Sequence, residues 1–369
     1  MPTRKSNRMI PLVKVGMPQP DLLMPSLQKV LYSGFVGEGE HVAAFEKQFA
    51  AHFGYEEILA LSSGTAALHI ALILSGAGPD TEVVTTSMTA EPTNTTILQV
   101  GATPVFADVN PATGNLEPQS VEEKITAKTR AICVVHYAGY PADTLALRKI
   151  ADRHGIRLIE DCAHALGARQ ADLPIGAIGD FAIFSFQAIK HFTTIDGGAL
   201  IIKDETKRKL AKKLRWFGLE KGIPRTEVDI VEPGYKYNMN NVTAVIGLKQ
   251  LENIQFRIDR HVSNGQFFDT ALSKISGIEP ATIGKYCQPT YWLYTLLADD
   301  ADDVVERLKR VGVEASKLHK PNHYHTVFAP FASKLQGLEN FYKRLIHIPC
   351  GWWVTDDDRA VIAEALSKG

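Results

Sequence analysis

Apolar positions come in short runs, and these alternate with stretches of helical spacing through the first two thirds of the chain. Ile58 to Leu61 is such a run. It closes on Ser62-Ser63-Gly64, and Thr65 to Leu74 then has a helix-like pattern that Gly76, Gly78 and Pro79 end. Val83 to Thr86, Pro104 to Val109 and Ala131 to His136 read as further strands. Thr144 to Arg153 carries Leu147 and Ile150 at helical spacing, with Gly155 where a left-handed helix end belongs. Ile156 to Ile159 is the next strand, with Glu160-Asp161 at its carboxyl end, and Phe181 to Phe186 and Ala199 to Ile202 follow. Apolar strands separated by helices imply an α/β fold with a mostly parallel, doubly wound sheet. After Leu251 a long polar helix, an apolar run from Trp292 to Leu297 and a charged helix from Asp303 to Val311 suggest a smaller α+β domain. The expected division is 1–250 for an N-terminal segment with the large domain and 251–369 for the small C-terminal domain.

Composition narrows the class without naming it. The 369 residues are 45% hydrophobic and 22% charged, an ordinary globular balance that excludes whole-chain disorder, collagen or coiled coil. Lys plus Arg is 40 and Asp plus Glu is 41, so no global field favours nucleic acid or an anionic membrane. The basic stretch Lys203 to Trp216 reads as a solvated helix face rather than a nucleic-acid patch. The cysteines, Cys133, Cys162, Cys287 and Cys350, lack CxxC spacing and fit a reducing compartment without disulfides, zinc knuckles or iron–sulfur clusters. Arg4, Lys5 and Arg8 mimic a signal sequence, but the apolar stretch Met9 to Val13 is too short and Pro11 breaks it. Ala66 to Leu74, the longest apolar helix-like run, is about half a membrane span. A cytoplasmic protein is the expectation.

Four local signals fall at strand ends of the large domain, where open α/β sheets bind ligands. Ser62-Ser63-Gly64-Thr65-Ala66-Ala67 joins a strand to a helix, and small residues at a helix N-terminus suit a phosphate, although they also serve any tight turn. Asp161 ends an apolar strand, where a carboxylate either caps a helix or meets a cation such as a protonated pyridine. Lys190 follows a strand and sits among Ile189, His191 and Phe192. It is either a surface lysine or an amine whose apolar pocket makes it nucleophilic. Gly197-Gly198 precedes a strand and marks a tight turn or a close backbone approach.

Together these motifs resemble the DegT-type sugar aminotransferases, vitamin-B6-dependent enzymes of the aspartate-aminotransferase fold. Phe184 to Ala199 is similar to the family's cofactor-lysine signature, and Ser63-Gly64-Thr65-Ala66-Ala67-Leu68 to its phosphate turn. Ser33-Gly34-Phe35 with Gly37, Gly39 and Phe45-Glu46 resembles its N-terminal substrate loop and first helix. Gly101 to Phe106 and Glu160 to Ala168 also match, and Gly234-Tyr235-Lys236-Tyr237-Asn238-Met239 resembles a variant in the branch that makes UDP-4-amino-4-deoxy-L-arabinose. The resemblance implies that Lys190 holds pyridoxal 5'-phosphate as a Schiff base and moves the proton, with pyridoxamine phosphate as the intermediate form. It implies that Asp161 keeps the pyridine nitrogen protonated and that His164 packs beside the ring. Ser63, Gly64, Thr65 and Ser185 would bind the phosphate. Lys236 and Asn238 would come from the partner of a homodimer whose active sites are shared.

Two positions depart from the family. Its usual stacking aromatic falls at Ala90, leaving Met88 as the candidate to cover the ring face, and its usual phosphate-binding Asn is Lys236. The His-rich segment Lys317 to His325 is read three ways: a polar surface loop, a metal site at His319, His323 and His325, or the family's substrate-facing small-domain strand. No carboxylate or cysteine completes a metal set, so no metal is expected. With Phe35, Lys317, His319 and His323 as substrate residues, the expected reaction moves an amino group from L-glutamate to a nucleotide-linked keto-deoxysugar. An aminotransferase acting on a free cyclitol ketone, and a non-catalytic regulator that binds the cofactor, remain as alternatives.

Overall fold

The computed structural model describes residues 9–368; Arg4, Lys5 and Arg8 lie outside them. Seven strands form the central sheet: β1 Leu59–Leu61, β2 Glu82–Thr86, β3 Thr103–Ala107, β4 Thr129–Val135, β5 Arg157–Asp161, β6 Phe181–Ser185 and β7 Gly198–Ile202, in the order β1-β7-β6-β5-β4-β2-β3. The pairs β2–β3, β2–β4, β4–β5 and β5–β6 are parallel, as apolar strands linked by helices require. Strand β7 is antiparallel to both β6 and β1. Its beginning therefore lies at the same sheet edge as the ends of the others.

Local chemistry sets the connections. Asp143 caps the helix Thr144–His154 by accepting from the Ala146 N–H at 3.0 Å, and Gly155, at φ 62°, ends it. The helix Gly64–Ser75 is apolar nearly all round and is buried against β6 and β7. The helix Glu205–Leu214 carries the basic run, and carboxylates partner most of its charges. Arg208 and Lys212 bind Glu57, Lys209 binds Glu205, and Lys213 binds Glu220. Among the described residues no helix is long and apolar enough to cross a membrane.

A second, antiparallel sheet contains β8 Ile278–Pro280, β9 Tyr294–Ala298 and β10 Leu345–Ile348. The N-terminal segment crosses to this layer. Ile10 bridges Val313, the Leu12 N–H reaches the Glu314 carboxylate at 3.1 Å, and both side chains join a core with Tyr294, Leu296 and Ile346.

Buried histidines make this second layer acid-sensitive. His261 Nδ1 donates to the Tyr291 carbonyl at 2.9 Å, and burial holds this residue down to about 4. His347, between Tyr137 and Thr295, is held down to about 3, again mainly by burial. Both are neutral when folded, whereas their unfolded forms take up a proton below about pH 6.5. Stability is complete above pH 6.5 and is lost as pH falls toward 4, by about 2–3 kcal/mol for each histidine at pH 4.5. Urea denaturation at pH 7.5 and 4.5 should show this loss, and His261→Gln should flatten the dependence.

Candidate active site

A pocket of about 300 Å³ opens where the strand ends converge, and residues far apart in sequence line it: Ser63 to Thr65, Thr89, Ala90, Thr93, Asp161, His164, Ser185, Lys190, Gly197 and His319 among them. Ser63 caps the helix Gly64–Ser75, its Oγ accepting from the Ala66 N–H at 3.0 Å. That leaves the N–H groups of Gly64 and Thr65 without intrahelical acceptors, at the positive end of a buried helix. A Cβ on Gly64 would lie 2.8 Å from that of Ser185, and one on Gly198 would run into the backbone of Ser63 and Gly64. The two glycines after Asp196 thus let the start of β7 press against the turn, with Gly197 at a φ of 159°. The result is a cradle of small residues, two free N–H groups and the Ser185 hydroxyl, chemistry that suits a phosphate. In Gly198→Ala, overpacking of about 1–3 kcal/mol should push the turn away, weakening cofactor retention in equilibrium dialysis by about tenfold or more.

Asp161 is the last residue of β5 and caps no helix. Its Oδ1 accepts from the Ala163 N–H at 3.1 Å and its Oδ2 from the Thr93 hydroxyl at 2.9 Å. Burial pushes its carboxyl up against the opposing pull of these two donors and of Lys190. A buried carboxylate so placed fits a cationic ring N–H. Lys190 is half-buried on the pocket wall, and desolvation of its amine holds it down to about 7 although Asp161 pulls it upward. At pH 7 about half of such an amine is neutral, against fewer than roughly one in a thousand for an ordinary lysine.

His164 and His319 line the pocket with parallel rings, 5.6 Å between centroids and 4° between planes. Burial, reinforced by Lys190, keeps His164 neutral and holds His319 down to about 4. Among the described residues, His164 Nδ1 and His319 Nε2 are buried without a hydrogen-bond partner, two polar atoms for which a polar ligand would be the natural complement. Taken with the cradle and the Asp161–Lys190 pair, they fit a planar, phosphorylated pyridine aldehyde.

Other expected site residues are not brought into this pocket within one chain. Met88 does not cover it. Its side chain is fully buried in the cluster containing Phe106 and Phe328, and Thr89 and Ala90 supply the lining instead. Lys236 Nζ bonds Asn238 Oδ1 at 2.5 Å and lies over the Trp216 ring, away from the lining. Phe35 is 79% exposed. Lys317 reaches the Lys343 carbonyl and the Tyr342 ring. His323 is tied to Ser87, its N–H donating to Oγ at 2.9 Å and its Nδ1 sharing a 2.7 Å bond. His325 faces Glu91 at 3.6 Å, so the three histidines diverge: His319 stacks on His164, His323 turns to Ser87 and His325 to Glu91. A buried group, His136, Glu160 and Cys162, has metal-like spacing. Its capacity is already used: His136 joins Glu160 at 3.1 Å and accepts from the Ala142 N–H, and Glu160 accepts from Gly176, Ile178 and Gly179.

Sequence reasoning missed Thr93, Gln187 and Trp292. Gln187 lines the pocket beside Ser185, and Trp292 lies under Lys190. Thr93 stands in the polar stretch Glu91-Pro92-Thr93-Asn94, whose Pro signals only a helix start. Trp292 opens an apolar run that reads as core. No residue-type signal marks either one.

Residues 21–367 match the DegT/DnrJ/EryC1/StrS aminotransferase family. The spore coat polysaccharide biosynthesis protein SpsC of Bacillus subtilis is 32% identical over 360 residues, 92% of each chain. The sugar aminotransferase CalS13 from Micromonospora echinospora is 35% identical with a TM-score of 0.94, covering 98% of this chain and 100% of its own. Spr1654 from Streptococcus pneumoniae, solved in a PLP form and a PMP form, is 26% identical in both; the TM-scores are 0.87 and 0.88. The match covers 96% of this chain in each form, and 97% and 96% of the respective neighbour.

Proposed function

Because this chain belongs to the DegT/DnrJ/EryC1/StrS aminotransferase family, we propose that it moves an amino group from L-glutamate to a keto-deoxysugar carried on a nucleoside diphosphate. The broader reading is established by kinship: the chain has the aspartate-aminotransferase-like fold and is a pyridoxal-phosphate-dependent transaminase of amino-sugar biosynthesis. The observation that carries the site assignment is the pairing of a half-neutral, half-buried amine, Lys190, with a buried carboxylate, Asp161, across one pocket.

The cofactor, when bound, supplies an electron sink for the carbon that loses its proton. Gly64 and Thr65 N–H groups and the Ser185 hydroxyl hold its phosphate. Asp161 accepts the ring N–H and so keeps that proton in place, while Thr93 and Ala163 fix the carboxylate. Lys190 Nζ would hold the cofactor by its aldehyde carbon and, as a free amine, would carry the proton between the substrate carbon and the cofactor carbon. His164 and His319, kept neutral by burial, wall the pocket without competing for that proton.

A sugar destined for transfer into a polysaccharide, O-antigen or glycoside needs a leaving group at its anomeric carbon, which a diphosphate provides. That chemistry favours the nucleotide-linked acceptor, and the name of the relative SpsC agrees with it. The homodimer belongs to the same reading. Tyr32, Phe35 and Val231 are 84%, 79% and 79% exposed in one chain, apolar side chains that a second protomer would cover. Lys236 and Asn238 would then enter the partner's site. Cytoplasmic residence completes the reading, since nucleotide sugars and glutamate are both met there.

A spectrum with and without L-glutamate, followed by a panel of nucleotide-linked and free ketones, tests this. Bleaching of the yellow form by glutamate and amination of the nucleotide-linked sugars alone is the expected result. Rapid turnover of free ketones only would sink the acceptor assignment in favour of a cyclitol-type substrate. A loaded protein inert to every donor would mark a cofactor-binding regulator.

A further inference from the structure

We propose that Trp292 is the positioning residue for the free form of Lys190: the indole face is the seat on which the amine rests, and on which its charge is held, whenever the amine is not bonded to the cofactor. Lys190 Nζ lies 3.9 Å from the centroid of the Trp292 ring. The indole is itself fixed on two sides. Its Nε1–H donates to the Ile189 carbonyl at 2.9 Å, beside the lysine, and the His164 ring stacks on it at 4.1 Å and 22°. Trp292 is 2% exposed, so almost no water competes for its face. It stands just before β9, in the second layer, and thus brings that layer to the reacting amine.

The need for such a seat follows from what surrounds the amine. Asp161, at the end of β5, is the one opposite charge acting on it among the described residues. His164, which follows that strand, and His319, from the segment before Asn322, are both held neutral. His191, next in the chain, is bonded to the Thr290 carbonyl and is neutral too. On the reading above, Asp161 is committed to the cofactor's ring nitrogen during the reaction. Lys190 must nevertheless take a proton and hold it until it is returned, a transfer that begins and ends with the same neutral amine. An indole face stabilises the ammonium without offering a base that could remove the proton. Desolvated, it favours the cation by about 10- to 30-fold.

This inference rests on the assignment of Lys190, and its test is independent of substrate. The protein is loaded with pyridoxamine phosphate, which leaves Lys190 free, and loading is read by absorbance. Lys190 is then labelled with acetic anhydride across a pH series and its peptide followed by mass spectrometry. Trp292→Leu should lower the labelling midpoint by about one pH unit. Trp292→Phe, which keeps an aromatic face, should lower it by less than half as much. Both variants lose the bond to Ile189, so the difference between them reports the ring face alone. Equal midpoints for the two variants, or an unchanged midpoint in W292L, would overturn the role of Trp292 and leave the transaminase reading intact. Wild-type protein that takes up no cofactor would overturn both. If W292L does not fold, Trp292→Met carries the same expectation.

Discussion

Lys190→Ala should lower kcat by about four orders of magnitude, the upper range for a positioned proton carrier, while the protein keeps its melting temperature. Lys190 is the only lysine lining the pocket among the described residues, so no neighbour can take over the covalent attachment or the proton. The variant should bind pyridoxal phosphate through the Gly64–Thr65 and Ser185 cradle but without the yellow of a lysine-bound form. Lys190→Arg should be equally inactive, because a guanidinium does not give up its proton in a protein. Added small primary amines should restore part of the rate in the Ala variant, where space is left, and none in the Arg variant. Turnover near the wild-type rate in K190A would show that the roles have been assigned to the wrong residue.

Asp161→Asn should cost about two to three orders of magnitude in kcat/KM with little loss of fold. The substitution keeps the shape; its amide oxygen can still accept from the Ala163 N–H, and its NH2 group can donate to the Thr93 hydroxyl, which turns to accept. It removes the negative charge that holds the ring proton, and breaking a buried ion pair costs about 3–5 kcal/mol. Asp161→Glu retains the charge at the wrong reach and should fall between the two. If the Asn variant matched the wild type, the ring nitrogen would not need its proton held and the strand-end carboxylate would be structural. Stopped-flow absorbance of the glutamate half-reaction measures the loss without any acceptor.

The strand alternation, the turn after β1 and the double glycine were legible because each rests on local chemistry. An apolar run must be buried, a helix start needs a cap, and glycines mark where a side chain does not fit. Element positions agreed to within a few residues, as in Thr144–His154, because Gly155 and Asp143 punctuate that helix in the sequence. What local pattern could not show is which distant side chains meet. Met88 was the natural candidate for the ring face because it is near Ala90. A single residue separates them, yet the chain turns between them, and the side chain enters a core completed by Phe328. Thr93 reaches Asp161 across 68 positions and Trp292 reaches Lys190 across 102. Such contacts are properties of the assembled layers. The antiparallel course of β7 was equally hidden, since an apolar strand reads the same in either direction.

The crossing of the N-terminal segment into the second layer has a cost in time during synthesis. Ile10 and Leu12 complete a core with residues around Val313 and Ile346, and Ile10 is bridged to Val313. At about 5–20 residues per second, the ribosome needs roughly 15–60 s to make the intervening chain. For that interval the nascent segment has apolar side chains and no native place to put them. The pocket shares the delay, because His319 is translated last of its walls and Trp292, which lies under Lys190, comes shortly before it. A nascent chain that already holds Lys190, Asp161 and the phosphate turn therefore cannot close around cofactor until its final quarter has emerged. Loading belongs to the end of folding, and a ribosome stalled before residue 292 should display a chain that retains none.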